Sequence, residues 1–184
     1  MTIWQWLAFG TISGVLVGIS WRTLGNPRSH GFYRFLAWEA MAVMLVLNAE
    51  SWFGDRGEWN QRIAWVVLSL SLLVLFAGIY QMRRFGNAGA QRQDEELFAF
   101  ERTSQLVTGG IFHYIRHPMY CSLLLLAWGI AFKRIDALIV LLALLSSVLL
   151  WCSARCEERE CLAYFGDAYR DYMARTRMFV PYVF

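Results

Sequence analysis

Hydrophobic and polar positions fall into long blocks along this chain. Residues 1–21 carry no charge, and neither do 63–82 or 137–154. Each block is long enough to cross about 30 Å of hydrocarbon as a helix. Two further apolar stretches are interrupted or short. Residues 32–53 hold Arg34, Glu39 and Glu50, and 118–132 crosses only if the helix tilts or the bilayer thins. Pro118 opens that stretch at a first helical turn, where a missing N–H costs little. The pattern predicts an all-α integral membrane bundle of about five transmembrane helices in one domain, 1–184. The expected spans are about 3–21, 32–53, 63–82, 118–132 and 136–155. A tight turn, Lys133-Arg134-Ile135-Asp136, joins the last two, and a merged re-entrant pair is the competing arrangement.

Beyond the last span, Phe165, Tyr169, Tyr172 and Met173 follow i, i+4, i+7, i+8 spacing within 157–173. That spacing predicts a C-terminal amphipathic helix folded back along the membrane surface. The longest polar stretch is 83–117. It opens with Arg83-Arg84 and a glycine-bounded turn at 86–89, and its acidic-aromatic part, 94–102, reads as at most a short interfacial helix.

Composition supports a membrane protein, with 58% apolar residues and only 17% charged, against about a quarter charged in soluble domains. Charge placement then orients the bundle. With five spans, twelve Lys and Arg fall on one side and four on the other, with Arg34 inside a span. Cytoplasmic segments carry the excess. The N-terminus is therefore expected outside, with the C-terminus and the 83–117 loop cytoplasmic, in a multi-pass protein of the bacterial inner membrane. The same bias accounts for the net charge of +3, so no nucleic-acid partner is expected. The first block lacks a basic lead-in and a small-residue cleavage site, and reads as a span rather than a leader. Gly10, Gly14 and Gly18 place a small-residue stripe on it for close helix contact. Cys121, Cys152, Cys156 and Cys161 lie on the reducing side and read as small apolar residues, not disulfides.

Two polar blocks flank the hairpin of the last two spans. In the first, Thr108-Gly109-Gly110 permits close backbone approach to a ligand, and Arg116-His117 precede a helix start that favours anions. In the second, Glu157 and Glu158 follow the fifth span. The hairpin brings both blocks to one side, as a mouth for a zwitterionic or cationic ligand. A metal site from His113, His117 and Cys121, with Cys152, Cys156 and Cys161 nearby, is disfavoured. Pro118 interrupts the aligning helix and no CxxC is present, so no metal is expected. A transporter or assembly subunit, with Glu39, Asn48 and Glu50 as a polar path, is the non-enzyme alternative. No glycine-rich strand–turn–helix unit appears.

The stretch Leu106 to Tyr120, with Gly-Ile-Phe-x-x-Ile-Arg-His-Pro-x-Tyr, resembles the signature of the isoprenylcysteine carboxyl methyltransferase family. That membrane superfamily also contains phospholipid N-methyltransferases. Glu157-Glu158, Phe165-Gly166, Tyr169, Tyr172 and Pro181 resemble its C-terminal pattern, so the likeness covers about 104–181. The resemblance implies S-adenosylmethionine as methyl donor. It implies cofactor contacts from Ser104, Gln105, Leu106, Val107, Phe112, His117, Pro118, Met119, Tyr120 and Glu157. Arg116, His117, Glu157 and Glu158 become catalytic candidates, and Arg155 and Tyr172 substrate-binding ones. The partners are a lipophilic methyl acceptor and membrane lipids, with the oligomeric state open. Many relatives carry an arginine four residues before the first glutamate, associated with a substrate carboxylate. Here that position is Ser153, and Arg155 falls on roughly the opposite helix face. Carboxyl O-methylation of an isoprenylcysteine-like acceptor leads. An aminophospholipid or a small thiol or amine is the alternative.

Overall fold

The protein is described by a computed structural model covering residues 2–53, 57–86 and 104–182. The acidic-aromatic stretch 94–102 and most of the turn at 86–89 lie outside the described residues. Six α-helices follow in chain order: α1 Ile3–Leu24, α2 His30–Leu47, α3 Trp59–Phe85, α4 Pro118–Lys133, α5 Ala137–Phe165 and α6 Asp167–Arg175. Among the described residues there is no strand; a single isolated bridge pairs Ile115 with Arg177.

Local chemistry sets the helix ends. Thr2 and Gln5 form a capping box on α1, and the Ser29 and Asp136 side chains accept from the first turns of α2 and α5. Arg83 and Arg84 close α3, where positive charge suits the carbonyl end. Pro118 opens α4 as the sequence predicts. Three boundaries differ from expectation. α2 stops at Leu47, with Asn48 capping it, so Glu50 sits in a short 3-10 turn rather than in a span. α5 continues unbroken past residue 155 to Phe165 and carries Glu157 and Glu158 in its interior. The predicted 157–173 surface helix is therefore two pieces. They break at Gly166, whose φ of 60° and ψ of −132° end α5 and start α6.

α1 packs on α2, α2 on α5, α5 on α4 and α4 on α3. The core lies among α2, α4 and α5, where Ala37, Met41, Met44, Ala127, Ile130, Ile139 and Leu150 interlock, with Leu68 entering from α3. Facing away from it are Trp4 and Leu7 on α1, Val66, Leu73 and Phe76 on α3, and Leu141 and Val148 on α5. So much exposed hydrocarbon suits lipid, not water. α1, α3 and α5 are long and apolar enough to cross a membrane, and α4 is a shorter apolar helix. Among the described residues nothing packs against the glycine stripe: a Cβ at Gly10, Gly14 or Gly18 would meet nothing within 4 Å. Close approach occurs instead at Gly129 of α4, where a Cβ would lie 2.8 Å from the Leu68 side chain.

The end of the bundle away from the polar blocks is locked by a buried cation. Lys133 is 1% exposed, with Nζ 3.7 Å from the Trp65 ring centroid and donating to the Trp52 carbonyl (3.2 Å) and Gln61 Oε1 (3.0 Å). Gln61 returns a bond to the Lys133 carbonyl at 3.0 Å. Asn48 Nδ2 donates to the Ile130 carbonyl at 2.7 Å, joining α2 to α4. Glu39 is held by Ser13 Oγ at 2.9 Å, a bond between α1 and α2. Two of the three polar groups of the transport path, Glu39 and Asn48, thus make interhelical bonds, while Glu50 is exposed.

Candidate active site

The site is built where the chain enters α4. Gly110 has φ of +59°, a conformation that favours glycine, and the end of the Gln81 side chain of α3 fills the space beside it. After the 3-10 turn Gly110–His113 the C-terminal segment is stitched across the start of α4. Arg116 N–H donates to the Arg177 carbonyl (2.8 Å), His117 N–H to Met178 (3.2 Å) and Arg177 N–H to Tyr114 (3.2 Å). Met178 and Phe179 are buried behind this seam. The anion-receiving helix start is thereby altered. Pro118 has no N–H, and that of His117 is spent on Met178, leaving fewer donors than an open helix start offers.

Arg116 sits at the centre of the polar block. Its Nε and Nη2 lie 2.8 and 2.7 Å from Glu158 Oε1. Its Nη1 donates to the carbonyls of Thr176 (2.6 Å) and Met173 (3.3 Å). The guanidinium thus ties the start of α4 to α5 and the end of α6. Glu158 is 2% exposed, and its second oxygen accepts from Arg155 at 3.3 Å.

His117 is buried, its ring stacked on Tyr120 at 5.6 Å between centroids and 6.2 Å from Phe179. Nε2 lies 3.6 Å from Glu158 Oε1, beyond hydrogen-bond reach, and has no hydrogen-bond partner among the described residues. Half-buried Glu157 receives a hydrogen bond from Tyr120 and lies within electrostatic reach of His117, His30 and Arg34. Ser153, Glu157 and Glu160 are spaced i, i+4, i+7 along α5 and share one face. On that face Ser153 Oγ donates to the His30 carbonyl (2.7 Å) and lies 3.1 Å from the Tyr120 hydroxyl. His30 Nδ1 is 2.6 Å from Glu160 Oε2.

The structure therefore gathers Arg116, His117, Tyr120, Glu157 and Glu158 in one place. Pro118 and Met119 adjoin them in the first turn of α4, Pro118 buried and Met119 partly so. Of the expected cofactor strip, Ser104 is partly exposed, Gln105 exposed and Val107 buried, while Leu106 packs against Cys161, Tyr169 and Tyr172. Phe112 is buried, and its carbonyl accepts from the Tyr172 hydroxyl at 2.7 Å. Tyr172 thus braces the entry turn. Burial pushes its phenol and that of Tyr169 above the ordinary range, so both stay neutral. Arg155 touches this group only through Glu158 Oε2: its side chain is 57% exposed, around the helix from Ser153. His113 is exposed, and among the described residues no three His, Cys, Asp or Glu are grouped to hold a metal ion. The four cysteines are free.

Sequence reasoning missed the contribution of α2. His30 meets Glu160 across 130 positions, with Arg34 within electrostatic reach of His30 and Glu157, a separation no local pattern reports. The available signal was a histidine right after the N-cap Ser29 with an arginine one turn on, the same-face spacing of a helix.

Residues 61–168 match the phospholipid methyltransferase family, more than half of the chain. Among curated proteins, methanethiol S-methyltransferase 2 of Bradyrhizobium diazoefficiens is 29% identical over 125 residues, covering 66% of this chain and 48% of its own length. Methanethiol S-methyltransferase 1 of the same organism is 25% identical over 111 residues, 60% of this chain and 38% of its own. A methanethiol S-methyltransferase of Pseudomonas deceptionensis is 28% identical over 71 residues, 39% of this chain and 26% of its own. The chain spans about half the length of the first of these relatives and less of the others. No solved structure matches it. The matched stretch begins in α3, takes in the entry turn and α4, and ends just beyond Glu157, Glu158 and Gly166: this chain belongs to the phospholipid methyltransferase family of integral membrane methyltransferases.

Proposed function

We propose that this chain is an S-adenosylmethionine-dependent methyltransferase that methylates an uncharged, membrane-partitioned thiol at the cytoplasmic face. The observation that carries the acceptor class is Ser153. Where a carboxylate-binding arginine would stand, a fully buried serine is bonded to the His30 carbonyl. Of the neighbouring guanidinium groups, Arg34 lies within electrostatic reach of Glu157 and His30, and Arg116 and Arg155 do not replace the missing one. Arg116 is committed to Glu158 and two carbonyls, and Arg155 points off the site face. The thiol chemistry in the names of the similar Bradyrhizobium and Pseudomonas proteins supports the same choice.

The site fits the cofactor. A buried ring nitrogen without a partner is rare in native proteins and marks a place where a polar ligand belongs. His117 Nε2 is such an atom for hydrogen bonding: Glu158 Oε1 lies 3.6 Å away, the ring stacks on Tyr120 and Glu157 is within electrostatic reach. These groups, with Ser104, Gln105, Leu106, Val107, Phe112, Pro118 and Met119, would hold the ligand. When bound, S-adenosylmethionine supplies a methyl on a sulfonium, whose displacement by a thiol yields a methyl thioether, the demethylated sulfide and one proton. His117 is placed to take that proton at Nε2, with Glu158 3.6 Å away and Glu157 within electrostatic reach to stabilise the imidazolium. Arg116 is a positioning residue: it fixes Glu158 and seats the C-terminal segment over the site. The acceptor reaches His117 by an outward-facing apolar groove of about 440 Å³ between α4 and α5, lined by Leu124, Val148, Trp151 and Phe179. Phe179 also flanks His117.

Carboxyl O-methylation of an isoprenylcysteine-like acceptor is the second reading, because the same groove suits a prenyl chain. It lacks the guanidinium four residues before Glu157, where Ser153 stands. Titration calorimetry tests the donor half of the proposal: S-adenosylmethionine should bind the detergent-solubilised protein, and Glu157→Gln should weaken it about tenfold. A protein that gives no heat with S-adenosylmethionine ends the proposal.

A further inference from the structure

A second pocket, of about 260 Å³, lies on the seam of α2 and α5, lined by Tyr33, Trp151, Cys152, Arg155, Cys156 and Arg159. Arg155 and Arg159 are four residues apart and so stack on one helix face. Arg159 forms no ion pair among the described residues; its Nη2 lies 3.1 Å from Cys156 Sγ. Arg155 gives one nitrogen to Glu158 Oε2 at 3.3 Å and leaves the rest of a half-exposed guanidinium in the pocket. One turn toward the apolar length of α5 stands Trp151, which also lines the apolar groove of the neighbouring seam. Two arginines are thus set above a tryptophan and a tyrosine, at the end of a helix that faces lipid along its lower turns. Tryptophan and tyrosine favour the headgroup level of a membrane, and arginine recognises phosphate through paired donors.

We propose that this pocket binds the phosphate of an anionic phospholipid, with Arg155 and Arg159 on the headgroup and Tyr33 and Trp151 against the glycerol and upper acyl region. The pocket lies on the face of α5 away from Ser153 and Glu157, and it adjoins the methyl-transfer site only through the Arg155–Glu158 pair and through Trp151, which it shares with the apolar groove. An occupied pocket pins α2 to α5, the seam that carries the Ser153–His30 and Glu160–His30 bonds.

The test is native mass spectrometry of the full chain in detergent, titrated separately with phosphatidylglycerol, phosphatidylcholine and inorganic phosphate. Phosphatidylglycerol should be retained more strongly than phosphatidylcholine. Arg159→Gln should weaken that retention about fivefold, the worth of one basic residue at an anionic surface. Arg159→Lys should lose less than Arg159→Gln. Arg62→Gln, at the opposite end of the bundle, should change nothing. Equal retention of the two lipids overturns the proposal, as does an Arg159→Gln variant that binds like the parent. Displacement of the lipid by millimolar inorganic phosphate would also overturn it, since the pocket would then be reading a free anion.

Discussion

Arg116 shows how one side chain can be read correctly for place and incompletely for role. Its position at a membrane edge, opposite two glutamates, was legible in the sequence because the hairpin of α4 and α5 returns the chain to the same side. Its acceptors were not legible. The Thr176 and Met173 carbonyls belong to a segment whose path depends on the turn at Gly166. The ion pair with Glu158 is largely buried, with side-chain exposures of 10% and 2%. Removing one partner of such a pair strands the other, at a cost of about 3 kcal/mol. Glu158→Ala should therefore lower the thermal unfolding midpoint in detergent markedly, while Arg155→Gln, which removes a 57% exposed guanidinium, should shift it little. Equal midpoints for Glu158→Ala and the parent would contradict the structural role given to this pair. Ser153 is the opposite case: its identity was visible as a departure from the family pattern. Its bond to the backbone of His30 rests on how α2 packs, which no spacing within 104–181 encodes.

At the scale of elements, apolar blocks predicted five bundle helices and their order, and caps explain where α1, α2 and α5 begin. Two ends were misplaced for physical reasons. A block of apolar residues does not report where a helix stops, and Asn48 ends α2 by turning its amide to the Ile130 carbonyl. α5 runs on because Ser153, Ala154, Cys156, Glu158 and Cys161 are buried against neighbours, which sustains the helix beyond its hydrocarbon length. The break that follows depends on Gly166, whose backbone conformation is hard for any other residue. Gly166→Ala should cost about 1–3 kcal/mol. The loss should appear first as loosened docking of α6, seen as faster hydrogen exchange at Tyr169 and Tyr172 than in the body of α5. Uniform exchange along α5 and α6 in the variant would show that the turn does not set this junction.

At the scale of the whole molecule, most basic residues and both polar blocks gather at one end of the bundle, and the structure keeps the two ends distinct. The Lys133 lock joins α4 to α3 and the turn after α2 at one end, and the Arg116–Glu158 and His30–Glu160 pairs close the other. In intact cells, Arg134→Cys in a background without the native cysteines should react with an impermeant maleimide. Arg175→Cys should react only after lysis. The reverse pattern would invert the membrane orientation. The central claim is narrower: donor groups assembled at His117 and Glu157, and an acceptor that carries no carboxylate. It is tested most directly by one assay, methyl transfer from labelled S-adenosylmethionine by the purified protein, offered an alkyl thiol and a prenylcysteine in parallel. Label should appear in the methyl thioether, be lost in His117→Gln, and be scant in the prenylcysteine ester. Label in the ester with none in the thioether would contradict it.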